Sequence, residues 1–190
     1  MLKPQDILIA VKLQASLLNM SSAEPKLYVS QRMLSETLNI SLSEVSGGLK
    51  RLEQAGLVSF ERITGMPKPI ASAMEEFLIH GLKYVYPVQL GEITRGMPTG
   101  YAADPLKAHF SSDRDELVPV WPDPQGEVRG HTFEPLHRSV PFAARKDPQV
   151  YHLMVLIDAI RGGRARERTM AIDLLKRRLS GTLCVEKHDG

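Results

Sequence analysis

Six histidines, one cysteine, a serine two positions from a histidine and one glycine-rich stretch are where this chain comes nearest to a metal, nucleophile or phosphate-binding motif. A metal needs three or four ligands drawn together. His80, His109, His131, His137, His152 and His188 are scattered, and only His131 and His137 fall close, with Glu134 the carboxylate between them. That spacing matches no metal motif. Cys184 stands alone, so neither a disulfide framework nor a paired-cysteine zinc site can form. Nucleophilic catalysis needs a hydroxyl or thiol beside a base. Ser139 follows His137 by two positions, which is a neighbourhood and not a triad, and Cys184 falls in a tail. Gly91-Glu-Ile-Thr-Arg-Gly-Met-Pro-Thr-Gly100 mixes glycines with Arg95, as phosphate-cradling loops do. It lacks their spacing and opens no helix, so a tight turn held by Arg95 is expected. No catalytic residue, cofactor or metal is expected.

What remains is charge and hydrogen bonding. The formal net charge is +2, but it is unevenly spread. Residues 1–70 carry eight Lys/Arg against six Asp/Glu, residues 71–140 six against ten, and residues 141–190 ten against six. A polyanion-binding surface therefore belongs at the ends of the chain. Lys50-Arg51 is one candidate. The other is the run Arg164, Arg166, Arg168, Lys176, Arg177 and Arg178, which is expected to pair with Glu167, Asp173 and the acidic middle. Its sharper alternative is an auxiliary nucleic-acid surface.

These groups must be placed by a fold. With 190 residues, 43% hydrophobic and 24% charged, the chain has the balance of a soluble globular protein of one or two small domains. The apolar run Ile7–Val11 ends at Lys12, far short of the roughly 20 residues of a membrane span. Asp6, Lys12 and Gln14 make it a poor signal peptide, so a cytoplasmic protein without membrane contact is expected.

Pro4 suits a first helical position, and residues 4–18 carry two apolar stripes, Ile7/Leu8/Val11/Ala15/Leu18 and Ile9/Leu13/Leu17. Such a helix must be covered on two sides, by its own domain and by either the second half of the chain or a partner. Residues 19–29 read as a polar loop ending in a short strand. Ser30 can cap a helix Gln31–Leu38 with Met33, Leu34 and Leu38 inward, and Asn39 can make the left-handed turn that ends it. Ser41-Leu-Ser-Glu44 has the form of a capping box. It opens a helix over 42–55 whose inward seam is Leu42, Val45, Leu49 and Leu52. Leu57–Arg62 has strand character, and Ile63–Pro69 is a turn. Two short helices, a strand and a Gly/Pro loop have the order of a helix-turn-helix followed by a wing.

The span Tyr28–Lys68 resembles the winged helix-turn-helix of bacterial transcriptional regulators, nearest in style to the MarR group. The carrying residues are Val29-Ser-Gln-Arg-Met-Leu-Ser-Glu-Thr-Leu38, Asn39-Ile-Ser-Leu-Ser-Glu-Val45 and Leu49-Lys-Arg-Leu-Glu-Gln-Ala-Gly-Leu-Val58. They cover about a fifth of the chain. The resemblance implies that the second helix lies in the major groove of DNA and that the wing touches backbone or minor groove. Its exposed arc would contain Ser43, Gly47, Lys50, Arg51 and Gln54, bordered by Glu44 and Ser46. Lys50 and Arg51 would meet phosphates or guanine edges, and Ser43, Ser46 and Gln54 base edges. Gln31 and Arg32 would meet a phosphate, with Arg62 and Lys68 at the wing. Gly47-Gly48 departs from a good helix by roughly 2 kcal/mol. It calls for close backbone approach to DNA, few base contacts, or packing against a protein.

Past the wing, Ile70–Leu82 returns to helical spacing. Residues 84–135 are rich in Pro and Gly yet hold Tyr84, Val85, Tyr86, Tyr101, Phe110, Trp121 and Phe133, too much apolar surface for a disordered linker. Ordered irregular chain is expected, with strands at Leu117–Trp121 and Glu127–Thr132. Asp147-Pro148 starts a helix that Gly162-Gly163 stops, and a second runs from Arg164 to Leu179.

The expected fold is mainly α with a small β component. Residues 1–82 form the DNA-binding domain. Residues 83–190 are an irregular then helical accessory region for effector or partner binding or dimerisation. The expected function is transcriptional regulation as a homodimeric repressor, with the first and C-terminal helices as dimer-interface candidates. The alternative is a protein-interaction module, antitoxin-like or a defence-operon partner, that uses the same fold as a scaffold.

Overall fold

A computed structural model describes residues 1–19, 29–110 and 117–181. Tyr28, Cys184, His188 and most of the expected 19–29 loop lie outside them. The fold is mainly helical with small sheets. No helix among the described residues is long and apolar enough to cross a membrane.

Helix α1 (Pro4–Leu18) starts where Pro4 forecasts, and Asp6 accepts the Lys3 N–H at 2.8 Å. Every side chain from Asp6 to Ser16 is buried. One side packs on α2 (Gln31–Leu38) and α3 (Leu42–Gln54), and the other on α7 (Pro148–Gly162). α1 is therefore covered on both sides within this same chain, by α2 and α3 and by the second half. That removes α1 from the dimer-interface candidates, because its apolar surface is already used except at Leu17, which is 41% exposed. The buried core runs without a break from Ile7 to Leu179.

Both short helices are capped as their sequences require. Ser30 accepts Met33 N–H at 3.1 Å, and Asn39 ends α2 at φ 51°. Ser41 and Glu44 complete their reciprocal box at the start of α3. Strands β1 (Val58–Phe60) and β2 (Pro67–Pro69) then pair antiparallel, with Val58 opposite Pro69. The following helical run is longer than Ile70–Leu82. It comprises α4 (Ala71–Glu76), a π-helical turn over Phe77–Gly81 and α5 (Leu82–Val85).

The middle of the chain is more regular than its composition suggests. Leu90–Pro98 forms strand β3, which pairs antiparallel with both β4 (Pro119–Pro122) and β5 (Val128–Phe133). The expected tight turn at Gly91–Gly100 is thus largely strand. β4 and β5 pair parallel and close the three strands on one another. Closure needs glycine, since a Cβ on Gly96 or Gly130 would collide with the carbonyl oxygens of Trp121 or Val118. Trp121 and Phe133 are buried, whereas Tyr84 and Val85 are exposed.

Three helices finish the described chain, where the sequence suggested two. α6 (Val140–Lys146) precedes α7, and α8 (Ala165–Leu179) follows it. Asp147 caps α7 by accepting Gln149 N–H at 2.9 Å.

Candidate nucleic-acid interface

At 100° per residue, the side of α3 turned from the core centres on Ser43, Lys50 and Gln54. All three are exposed, and Ser46 and Gly47 beside them are half-buried. Gln31 and Arg32 are exposed at the start of α2, where Arg32 Nε meets Glu36 Oε1 at 3.0 Å. Arg62, in the loop after β1, and Lys68, on β2, are exposed too. At the tip between them Ile63 is 94% exposed.

Two expected roles on α3 change. Leu42 leaves the inward seam and is 53% exposed; Val45, Leu49 and Leu52 remain in it, joined by Gly48. Arg51 leaves the outward arc. Its Nε and Nη2 donate to Asp6 Oδ2 and Oδ1, each at 2.7 Å. These hydrogen bonds hold the Arg51 guanidinium pKa above its ordinary value.

Both changes follow from how close α1 comes. A Cβ on Gly48 would lie 2.7 Å from Ile9 Cδ1 and 2.9 Å from Asp6 Oδ1. Gly48 is therefore a contact between helices and has no part in a reading face. Gly47 faces outward, where an added Cβ would meet only the end of the Arg51 side chain. The legible signal was Gly48 itself: a small residue beside the seam widens the buried side until Arg51 falls at its edge. Asp6, the one acid in a helix with two apolar stripes, was the other half of that signal.

Among the described residues, the basic C-terminal helix is paired only in part as its composition suggested, through Lys176 and Glu75. Glu167 accepts the backbone N–H of Arg164 at 3.0 Å and so caps α8. Arg168 donates to Gly163 O, Arg178 to Gln149, and Arg166 lies over the Phe110 ring. Lys176 approaches Glu75 at 3.8 Å.

In the second half, a cleft of about 730 Å³ opens between β3, β5 and the α7–α8 junction. Leu90, Leu117 and Phe133 are among its apolar walls, and His131, Arg164 and Glu167 among its polar groups. At its floor the fully buried Asp158 accepts from Trp121 Nε1 at 2.6 Å, Arg161 Nη1 at 2.8 Å and Thr99 Oγ1 at 3.0 Å. Burial pushes the Asp158 carboxyl up, against the Arg161 charge and these donors. Among the described residues, no group of three His, Cys, Asp or Glu side chains comes together to hold a metal. Ser139 offers no nucleophile to His137, because its hydroxyl donates to Asn39 O at 3.1 Å.

No family model matches the chain, and no curated protein or solved structure is detectably similar to it.

Proposed function

We propose that the protein is a double-stranded DNA-binding transcriptional regulator, a homodimeric repressor of the cytoplasm, in which residues 28–68 act as a winged helix-turn-helix. The supporting observation is the line of exposed polar side chains Ser43, Lys50 and Gln54 along α3, a helix firmly capped and packed from behind. In this reading α3 enters the major groove. Lys50 contacts a guanine edge or phosphate, and Ser43, Ser46 and Gln54 hydrogen-bond base edges. Gln31 and Arg32 anchor one strand, and Arg62 and Lys68 carry the wing to the backbone. Gly47 lets the helix backbone come close. A dimer sets two such helices about one helical turn apart, and the outer face of α8 is the remaining interface candidate. The cleft of the second half is where a small effector would bind.

The deciding experiment is a salt titration of binding to DNA from upstream of the protein's own gene, against scrambled DNA of equal length. A preference of about a thousandfold or more, with affinity falling steeply as salt rises, supports the reading. Weak and equal binding to both sinks it.

A second reading, the protein-interaction module, is favoured by one observation. With Arg51 tied to Asp6, Lys50 is the one cation on the outward arc of α3, while Leu42 at the start of that helix and Ile63 at the β1–β2 tip expose apolar surface. If a partner copurifies and is lost on Leu42→Asp, with DNA binding absent throughout, this reading replaces the first.

A further inference from the structure

The turn between α2 and α3 is fastened from the second half of the chain. Ser139, only 3% exposed, donates its hydroxyl proton to the carbonyl of Asn39, the left-handed residue that ends α2. Ser41 opens α3 two residues later, and α6, which follows Ser139, packs on α2. Ser139 N–H donates to His137 Nδ1 at 3.2 Å, curling residues 137–139 into a compact turn. Arg138 is thereby held near the first turn of α3, close enough for its charge to act on the Glu44 carboxylate. Glu44 itself is engaged by Ser41, whose hydroxyl lies 2.8 Å from Oε2. Arg138 is exposed and, among the described residues, makes no hydrogen bond or ion pair.

We infer that Arg138 is a phosphate contact of the DNA face, contributed by the second half of the chain to the α2–α3 surface. This rests on the DNA-binding reading above. In helix-turn-helix docking, the first turn of the second helix points at the bases, so a group beside that turn faces a strand bordering the groove. A guanidinium suits a phosphodiester there, since it stays charged and presents paired N–H donors to the anionic oxygens. It also supplies the guanidinium that Arg51, bound to Asp6, does not bring to the outward arc. The DNA face is then composite, and the 137–139 turn sets its position relative to α3.

The test is fluorescence anisotropy with a duplex of about 40 base pairs from immediately upstream of the coding sequence, room enough for two half-sites. A scrambled duplex of equal length serves alongside. Arg138→Ala weakens binding to both about three- to tenfold and makes the dependence of log K on log salt shallower by about 0.9. Arg138→Lys recovers most of the loss. Arg129→Ala, which removes the same charge from β5, changes nothing. Thermal unfolding of Arg138→Ala matches that of the unmodified protein. If Lys50→Ala weakens binding while Arg138→Ala equals the unmodified protein, the inference about Arg138 is overturned and the regulator reading stands. If the unmodified protein binds neither duplex, both are overturned.

Discussion

Arg51 on α3 and Asp6 on α1 are joined by two parallel hydrogen bonds of 2.7 Å, guanidinium to carboxylate. The Asp6 side chain has no solvent contact, and the Arg51 side chain retains 23% of its own. Further along α1, on another side, Lys12 Nζ reaches Asp147 Oδ2 at 2.7 Å, and Asp147 caps α7. One buried helix is thus fastened by charge to the candidate reading helix on one flank and to the second half of the chain on the other.

Arg51→Ala would leave the Asp6 carboxylate buried without its counter-charge. Removing one partner of such a pair costs about 3 kcal/mol. Urea unfolding should show that loss, while DNA affinity, measured where the variant stays folded, should fall far less than in Lys50→Ala. A variant as stable as the unmodified protein would mean that the pair does not form.

The two adjacent glycines of α3 should respond oppositely to alanine. Alanine in place of a helical glycine gains up to about 1 kcal/mol in propensity. At Gly47 an added methyl meets only Arg51 Nη1, at 3.1 Å, so Gly47→Ala should be neutral or stabilising. At Gly48 it meets Ile9 and Asp6 below 3.0 Å, in a helix contact with little room to give. Overpacking of this kind costs about 1–3 kcal/mol, so Gly48→Ala should destabilise. The reverse order in urea midpoints would contradict the α1–α3 contact described above.

These positions also mark what could be read from sequence. Ser30, Asn39, the Ser41–Glu44 box and Asp147-Pro148 were legible because caps and turns depend on a few adjacent residues. Periodicity likewise placed α1, α3, α7 and α8. Strand β3 was hidden because its alternation is weak: Gly91 and Gly96 interrupt it, and its partners lie some distance on in the chain. Helix α6 was hidden because its seven residues are too few to show a helical period. At the candidate site, the exposure of Ser43, Lys50 and Gln54 followed from the seam alone. The fate of Arg51 did not, because it depends on a carboxylate 45 residues away.

Asp147 predicts a pH dependence. Burial would raise its pKa, but the Lys12 ammonium, the Asn19 amide and the Gln149 N–H together hold it below the ordinary value. A carboxyl depressed in the folded state adds stability above its unfolded pKa, near 3.9, and that stability fades as pH falls through the folded value. Lys12→Met removes the largest of the opposing influences. It should cost about 2 kcal/mol near neutrality, and the gap to the unmodified protein should narrow below about pH 4. A gap constant from pH 7 to pH 3 would assign the loss to packing.

Arg32 and Lys50 should separate anchoring from reading. The Arg32–Glu36 pair is exposed on both sides, at 85% and 66%, and such pairs contribute at most a few tenths of a kcal/mol. Arg32→Ala should leave the urea midpoint nearly unchanged yet weaken binding to the upstream and scrambled duplexes alike, because a phosphate contact carries no sequence information. Lys50 sits mid-arc on α3, where a base edge is within reach. Lys50→Ala should therefore weaken the upstream duplex more than the scrambled one, by about the 1–3 kcal/mol of a specific base contact. Equal losses on both duplexes would make Lys50 a second anchor and shift sequence reading to Ser43, Ser46 and Gln54. No loss in either variant, beside intact folding, would take DNA off this face altogether and leave the exposed Leu42 and Ile63 as the place to look for a protein partner.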